Sequence, residues 1–332
     1  MSRVPALLAI VVVPLLAACG PATPSPQTSG DPEPVPAATA PKSSDDLLVR
    51  DAIKKGEAAV KAGDFKGAKD IFQGVLDRKA GNPRALYYLA VCHENLGDKV
   101  AAEKFYRDAL AKAPELADAA LNLSAMLIEL GRVDDAVKAL RAGIEKTPSD
   151  PMLHATLGHA LSKSGDKAGA AAEYRLALKL GEDDATRLAL ASTLAASGKK
   201  DEALAELKKL ADSSRKRDVL ATVGDALSRL GAYGDCVAAY DRAIKIETAA
   251  QLYVQRGICR RELKDDEGSK KDFESATKAD PKYAPGWYYL GVYWMGQKNN
   301  AEALKALEKA KALAPNSKAA DRIAEIKKGK NK

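Results

Sequence analysis

The sequence predicts an all-α chain: an α-solenoid of about eight helix-turn-helix repeats closed by a C-terminal capping helix. Three observations carry that prediction. A turn residue recurs at Gly63, Gly97, Gly131, Gly165, Gly198 and Gly231, then at Lys264 and Lys298, with spacings of 34, 34, 34, 33, 33, 33 and 34. A fixed period of this size, with a helix on each side of the turn, is the signature of stacked helix pairs. Of the 332 residues 46% are apolar but only 5% aromatic, which suits Ala- and Leu-rich helix packing and disfavours a β-sandwich or barrel. Finally, the prolines beyond residue 44 (Pro83, Pro114, Pro148, Pro151, Pro281, Pro285 and Pro315) all fall at repeat junctions, where helices start or stop.

Residues 1–18 read as an export signal. Arg3 is followed by an uncharged run from Val4 to Ala18, broken only by Pro5 and Pro14. A spanning helix needs about 20 apolar residues, so this shorter run is the apolar core of a secretory signal. It ends in Leu16-Ala17-Ala18-Cys19, which resembles the lipobox of bacterial lipoproteins. That resemblance implies removal of the signal and attachment of lipid at Cys19, the new N-terminus. Each buried methylene contributes about 0.8 kcal/mol, so several acyl chains anchor stably. Gly20 rather than Asp follows Cys19, and by resemblance to the enterobacterial sorting rule this implies the outer membrane, facing the periplasm.

Residues 19–47 read as a tether. Seven prolines lie between Pro21 and Pro41, with almost nothing large and apolar between them. Such a stretch cannot build a core. At about 3 Å per residue its polyproline-like backbone would span tens of ångströms.

Residues 48–315 read as the repeats. In the second, Leu89 and Ala90 precede Gly97, and Ala102, Tyr106 and Ala109 follow at helical spacing before Pro114. The eighth has Trp287, Leu290, Gly291, Trp294, Ala303, Leu307, Ala310 and Pro315. This pattern resembles the tetratricopeptide repeat, and the resemblance implies a right-handed solenoid whose first helices line a concave groove. Ala90, Gly158, Gly224, Gly257 and Gly291 are the small residues expected where paired helices touch, and Trp287 and Trp294 fit core positions. The first repeat, with Lys55 in place of Leu, is expected to fray, and Ser213-Ser214-Arg215-Lys216-Arg217 to form a soft seam.

Residues 316–332 read as a capping helix with a basic tail, since Ala319, Ala320, Ile323, Ala324 and Ile326 make one apolar face. This end also holds most of the charge. The chain has 52 Lys+Arg against 45 Asp+Glu, a formal +7. Six basic and two acidic residues from Ser317 onward contribute +4, and removal of Arg3 with the signal leaves only +2 for everything else. No basic stripe of the nucleic-acid-binding kind follows from this, so that partner is not expected.

Little in the chain suggests catalysis. His93, His154 and His159 do not form a ligand spacing such as HExxH. There is no nucleophile elbow or phosphate loop, and Ser213-Ser214-Arg215-Lys216 is a chance S-x-x-K at a helix end. A non-enzymatic protein without metal or cofactor is expected. Cys92, Cys236 and Cys259 occupy helical positions; the last two lie on consecutive helices of neighbouring repeats and could pair across a 23-residue span.

Function is then expected on the groove. Arg84, Tyr87, Asn95, His159, Lys163, Arg229, Arg261 and Tyr288 are the candidate binding residues by extrapolation of the repeat. The mixture suits an extended peptide or a partner helix. The Lys/Asn clamp of chaperone-binding family members is missing, because Tyr87 and Val91 stand at two of its positions. The leading reading is an envelope scaffold or adaptor, lipid-anchored, for a protein or peptide partner; proteins it resembles serve pilus, motility, secretion and cell-wall machines. A cell-wall or exopolysaccharide glycan binder and a plain spacer are the alternatives. Six of the seventeen aromatics fall between Tyr283 and Trp294.

Overall fold

The computed structural model describes residues 44–315 and 317–329. The signal, Cys19, the tether up to residue 43, and Lys330 and Lys332 of the basic tail lie outside the described residues. Seventeen α-helices and no strands are found among the described residues, and none of these helices is long and apolar enough to cross a membrane. The chain divides between Gly181 and Glu182 into two compact units.

Unit one contains four helix pairs: α1 (Ser44–Lys61) with α2 (Phe65–Arg78), α3 (Pro83–Asn95) with α4 (Lys99–Lys112), α5 (Ala117–Glu129) with α6 (Val133–Lys146), and α7 (Pro151–Ser164) with α8 (Lys167–Leu180). α1 begins at Ser44, inside the stretch read from sequence as tether. Unit two contains α9 (Asp184–Ala196) with α10 (Lys200–Ser213), α11 (Arg217–Arg229) with α12 (Tyr233–Ile246), α13 (Ala250–Glu262) with α14 (Asp266–Ala279), and α15 (Ala284–Gly296) with α16 (Asn300–Leu313), followed by α17 (Ala319–Gly329).

The recurring turn is a Schellman motif fused to an N-cap. Gly63 has φ 80°, Gly63 N donates to Val60 O and Asp64 N donates to Ala59 O, which satisfies two carbonyls at the end of α1. The same Asp64 then caps α2, its Oδ1 accepting from Gly67 N at 2.9 Å. Asp98, Asp166 and Asp265 repeat the cap on α4, α8 and α14. Lys264 (φ 65°) and Lys298 (φ 56°) hold the left-handed turn position without being glycine.

Each pair is closed by a small residue on the first helix facing a large one sixteen positions later on the second. A Cβ on Gly56, Gly158, Gly257 or Gly291 would approach Phe72, Tyr174, Phe273 or Leu307 within 3.0 Å. Ala90 and Tyr106, Ser124 and Leu140, and Ala191 and Leu207 hold the same two positions, all buried. Gly56, set against Phe72, thus closes the first pair in spite of Lys55. Successive first helices approach one another more closely than successive second helices do, α1 with α3 and α5 with α7 in unit one, and α9, α11, α13 and α15 in sequence in unit two. The first helices therefore line the inner face of each unit.

Three features depart from, or go beyond, the sequence reading. The junction between α10 and α11, expected to be soft, is tied down: Arg242 on α12 donates to the carbonyls of Ala211, Asp212 and Ser214. Buried Ser214 donates to Asp184, and Lys216 pairs with the same carboxylate at 3.3 Å. Trp287 and Trp294 are half-buried rather than core, lying beneath Lys309 at 4.5 Å and Lys270 at 4.9 Å, while buried Leu290 and Gly291 occupy the interior of α15. Cys236 and Cys259 form a disulfide that joins α12 to α13, with Cα atoms 6.4 Å apart, and Cys92 is free and buried.

Candidate functional site

In unit one the inner-helix candidates are dispersed. Arg84 on α3 is exposed and pairs with Glu57 of α1 at 2.6 Å. Together they border an open hollow of about 380 Å³ over Val49 and Ile53. Tyr87 is not a free groove residue: it is only 8% exposed, and Asn122 Nδ2 donates to its hydroxyl at 3.1 Å. Burial holds its phenol above the ordinary range. The cause lies in the next repeat, because α5 brings Asn122 against α3, a contact that periodicity on α3 cannot show. Exposed Asn95 bonds back to Val91 O at 2.8 Å within its own helix. His159 and Lys163 lie one turn apart on α7. Burial, and then the Lys163 charge, holds the His159 imidazole below its ordinary range.

Unit two brings two of its three candidates, Arg261 and Tyr288, to a shared neighbour. Arg229 is exposed near the end of α11. Arg261, at the end of α13, places its guanidinium over the Tyr289 ring at 5.9 Å. Tyr289 packs against Tyr288 edge-on at 5.2 Å and stacks on buried Phe273 at 5.6 Å with 21° between planes. Arg322 of α17 lies near Tyr288, close enough for its charge to interact with the phenol. Tyr289 thus links Arg261 and Tyr288, the two residues the repeat pattern had selected. Sequence spacing missed it as a binding candidate; its signal was membership in the aromatic run from Tyr283 to Trp294.

The physical character of this strip follows from its parts. Tyrosine offers a large ring with few rotamers and a polar tip. Phe273 fixes one face of Tyr289. Ile258 and Tyr283 pack beside it over buried Val254. Arg261 and Arg322 have exposed carboxylate partners close in sequence, Glu262 at 3.4 Å and Glu325 at 2.9 Å. Exposed pairs of that kind contribute about 0–1 kcal/mol, so both guanidinium groups can exchange to a ligand carboxylate at little cost.

A second polar cluster, on α12, α13 and α14, has a structural character. Asp272 of α14 is buried, with 2% of its side chain exposed, and accepts from Arg256 Nε at 3.0 Å and Arg260 Nη1 at 3.0 Å. Arg256 also pairs with Asp241 of α12. The cluster thereby ties α12, α13 and α14 together. Among the described residues no group of His, Cys, Asp and Glu side chains could hold a metal ion.

Comparison with known proteins follows the same lines. Residues 52–216 match a tetratricopeptide repeat model, and residues 250–283 and 284–317 each match another. None of the curated proteins matches this chain. Among solved structures, the C-terminal part of a TPR repeat-containing protein from Cytophaga hutchinsonii is similar with a TM-score of 0.56 and 16% identity, over 81% of this chain and 98% of that one. Pseudomonas aeruginosa PilF gives 0.49 and 16%, over 77% and 99% of the two chains. Yeast Tom70 gives 0.48 and 16%, over 91% and 68%. At such identity the first likeness bears on the fold alone. With the repeats matched over residues 52–216 and 250–317, and consecutive helices packed in pairs within each unit, the chain is a tetratricopeptide-repeat protein.

Proposed function

We propose that this chain is a non-enzymatic scaffold or adaptor, anchored through lipid on Cys19 to a bacterial envelope membrane, the outer membrane facing the periplasm. There it holds a protein or peptide partner against its inner helices, within a pilus, motility, secretion or cell-wall machine. The observation that carries this reading is the Arg261–Tyr289–Tyr288 strip: fixed aromatic rings and exchangeable guanidinium groups on the inner helices of unit two. Anchoring is supported by Leu16-Ala17-Ala18-Cys19, and reach by the proline-rich residues that follow.

Two experiments test it. With a photocrosslinking residue in place of exposed Glu262, beside Arg261, in intact cells, a reproducible protein adduct is expected, lost when Tyr289 is changed to Ala. Crosslinking to no protein, or equally from an outer position such as Lys112, removes the adaptor reading. Cys19→Ser should release the protein from the membrane fraction, and unchanged retention would refute the anchor.

A further inference from the structure

The chemistry of the partner can be narrowed, a step that rests on the scaffold reading. Tyr283, Tyr288 and Tyr289 are half-buried side chains at the start and in the middle of α15; Tyr283 and Tyr289 pack against buried Val254 of α13, and Tyr288 lies edge-on to Tyr289. Tyr289 is fixed by Phe273 behind it and has Arg261 above it. Arg322 stands at the Tyr288 end. Guanidinium groups thus flank the phenol rings, and their present carboxylate partners, Glu262 and Glu325, are exposed and close in sequence.

An amphipathic helix would want a continuous row of apolar seats. Flat aromatic rings instead favour proline, whose rigid ring stacks on them and whose polyproline backbone is extended before binding, so little order is lost. Guanidinium groups beside the rings favour carboxylates, which they bind through charge-assisted hydrogen bonds. We propose that the Tyr283, Tyr288 and Tyr289 strip, flanked by Arg261 and Arg322, binds an extended proline-rich segment that carries acidic side chains between its prolines.

A suitable probe exists in the chain itself: Gln27 to Ala37 reads QTSGDPEPVPA, with Asp31 and Glu33 alternating with prolines. The experiment titrates this synthetic peptide into the full chain in detergent, and into the full chain carrying Asp31→Lys and Glu33→Lys, whose own segment cannot compete. Trp287 and Trp294 fluorescence and backbone NMR shifts report binding. Saturable binding with a Kd at or below about 1 mM is expected in at least one receptor. A peptide with lysine at both acidic positions should bind at least about tenfold more weakly, and so should the native peptide to Arg261→Glu or Tyr289→Ala chains of unchanged circular dichroism. Lys112→Glu, a change in unit one, should bind as the parent does. No saturable binding to either receptor overturns the proposal, as does equal binding of the charge-reversed peptide or preferential binding of an N-acetylglucosamine oligomer. A protein crosslinked through position 262 without peptide binding would remove this inference while the scaffold reading stood.

Discussion

Tyr240 fills the space that Gly224 leaves open: a Cβ on Gly224 would stand 2.7 Å from Tyr240 Cε2 and 2.8 Å from Cζ. The ring cannot easily retreat, because its hydroxyl donates to Asp225 on the same helix as the glycine. Gly224→Ala should therefore destabilise unit two by about 1–3 kcal/mol, the usual cost of overpacking. Adding Tyr240→Leu should recover part of that loss, since Ala191 and Leu207 already form such a pair. Urea unfolding of both singles and the double mutant checks this, and strictly additive effects would contradict direct contact.

The disulfide between Cys236 and Cys259 closes a span of 23 residues. In the chain-entropy model that constraint on the unfolded state contributes about 3 kcal/mol. Replacing both cysteines with Ala should lower unfolding stability by about that amount and remove its dependence on dithiothreitol. Cys92 should not interfere, because burial pushes its thiol up to about 11. Identical urea midpoints for the parent with and without reductant would refute the prediction.

Asp272 is a buried carboxylate held by two arginines. Asp272→Ala would leave Arg256, itself only 14% exposed, without its buried counter-charge. Loss of one partner in such a pair costs about 3–5 kcal/mol, whereas apolar replacement of the whole pair is often neutral. The thermal midpoint should accordingly drop sharply for Asp272→Ala and recover in Asp272→Leu with Arg256→Met. A double mutant no better than the single would show that the charges do more than balance one another.

His159 links stability to pH. Its folded value is lowered, chiefly by burial and further by Lys163, so the unfolded chain takes up the proton first as pH falls. Stability is unaffected above the ordinary histidine range near about 6.5, then declines as pH drops toward the folded value, below which the loss is complete. His159→Gln should flatten that part of the profile between about pH 7 and 5. Urea midpoints across this range give the comparison, and parallel profiles for parent and variant would rule it out.

The contrast between Gly224 and Tyr289 shows what the sequence could reveal. Turn glycines, junction prolines and the small first-helix residues recur at the period of the fold, so each has parallels along the chain and its place is legible. Cys236 and Cys259 were legible as a possible pair because consecutive helices of neighbouring repeats must be adjacent. Side chains that meet across repeats through one irregular contact were not. Asn122 covers Tyr87, Arg242 reaches back to the α10–α11 junction, and Phe273 with Arg261 selects Tyr289. Each depends on a long side chain whose direction no period specifies. Trp287 and Trp294 fell between these cases: their positions follow the repeat, yet Leu290 and Gly291 take the interior and leave both indoles partly in solvent under lysine caps.

Lys264 and Lys298 hold backbone angles that elsewhere in the chain are given to glycine. A side chain in that conformation costs about 1–2 kcal/mol, more than the roughly 0.5–1 kcal/mol by which glycine's greater unfolded freedom would offset the change. The final two turns of unit two are consequently held by their surroundings against local preference. Those repeats retain stability headroom that two exposed turn positions could release without altering the core or the tyrosine strip, and the residue chosen there acts as a set-point for how readily that end of the unit opens.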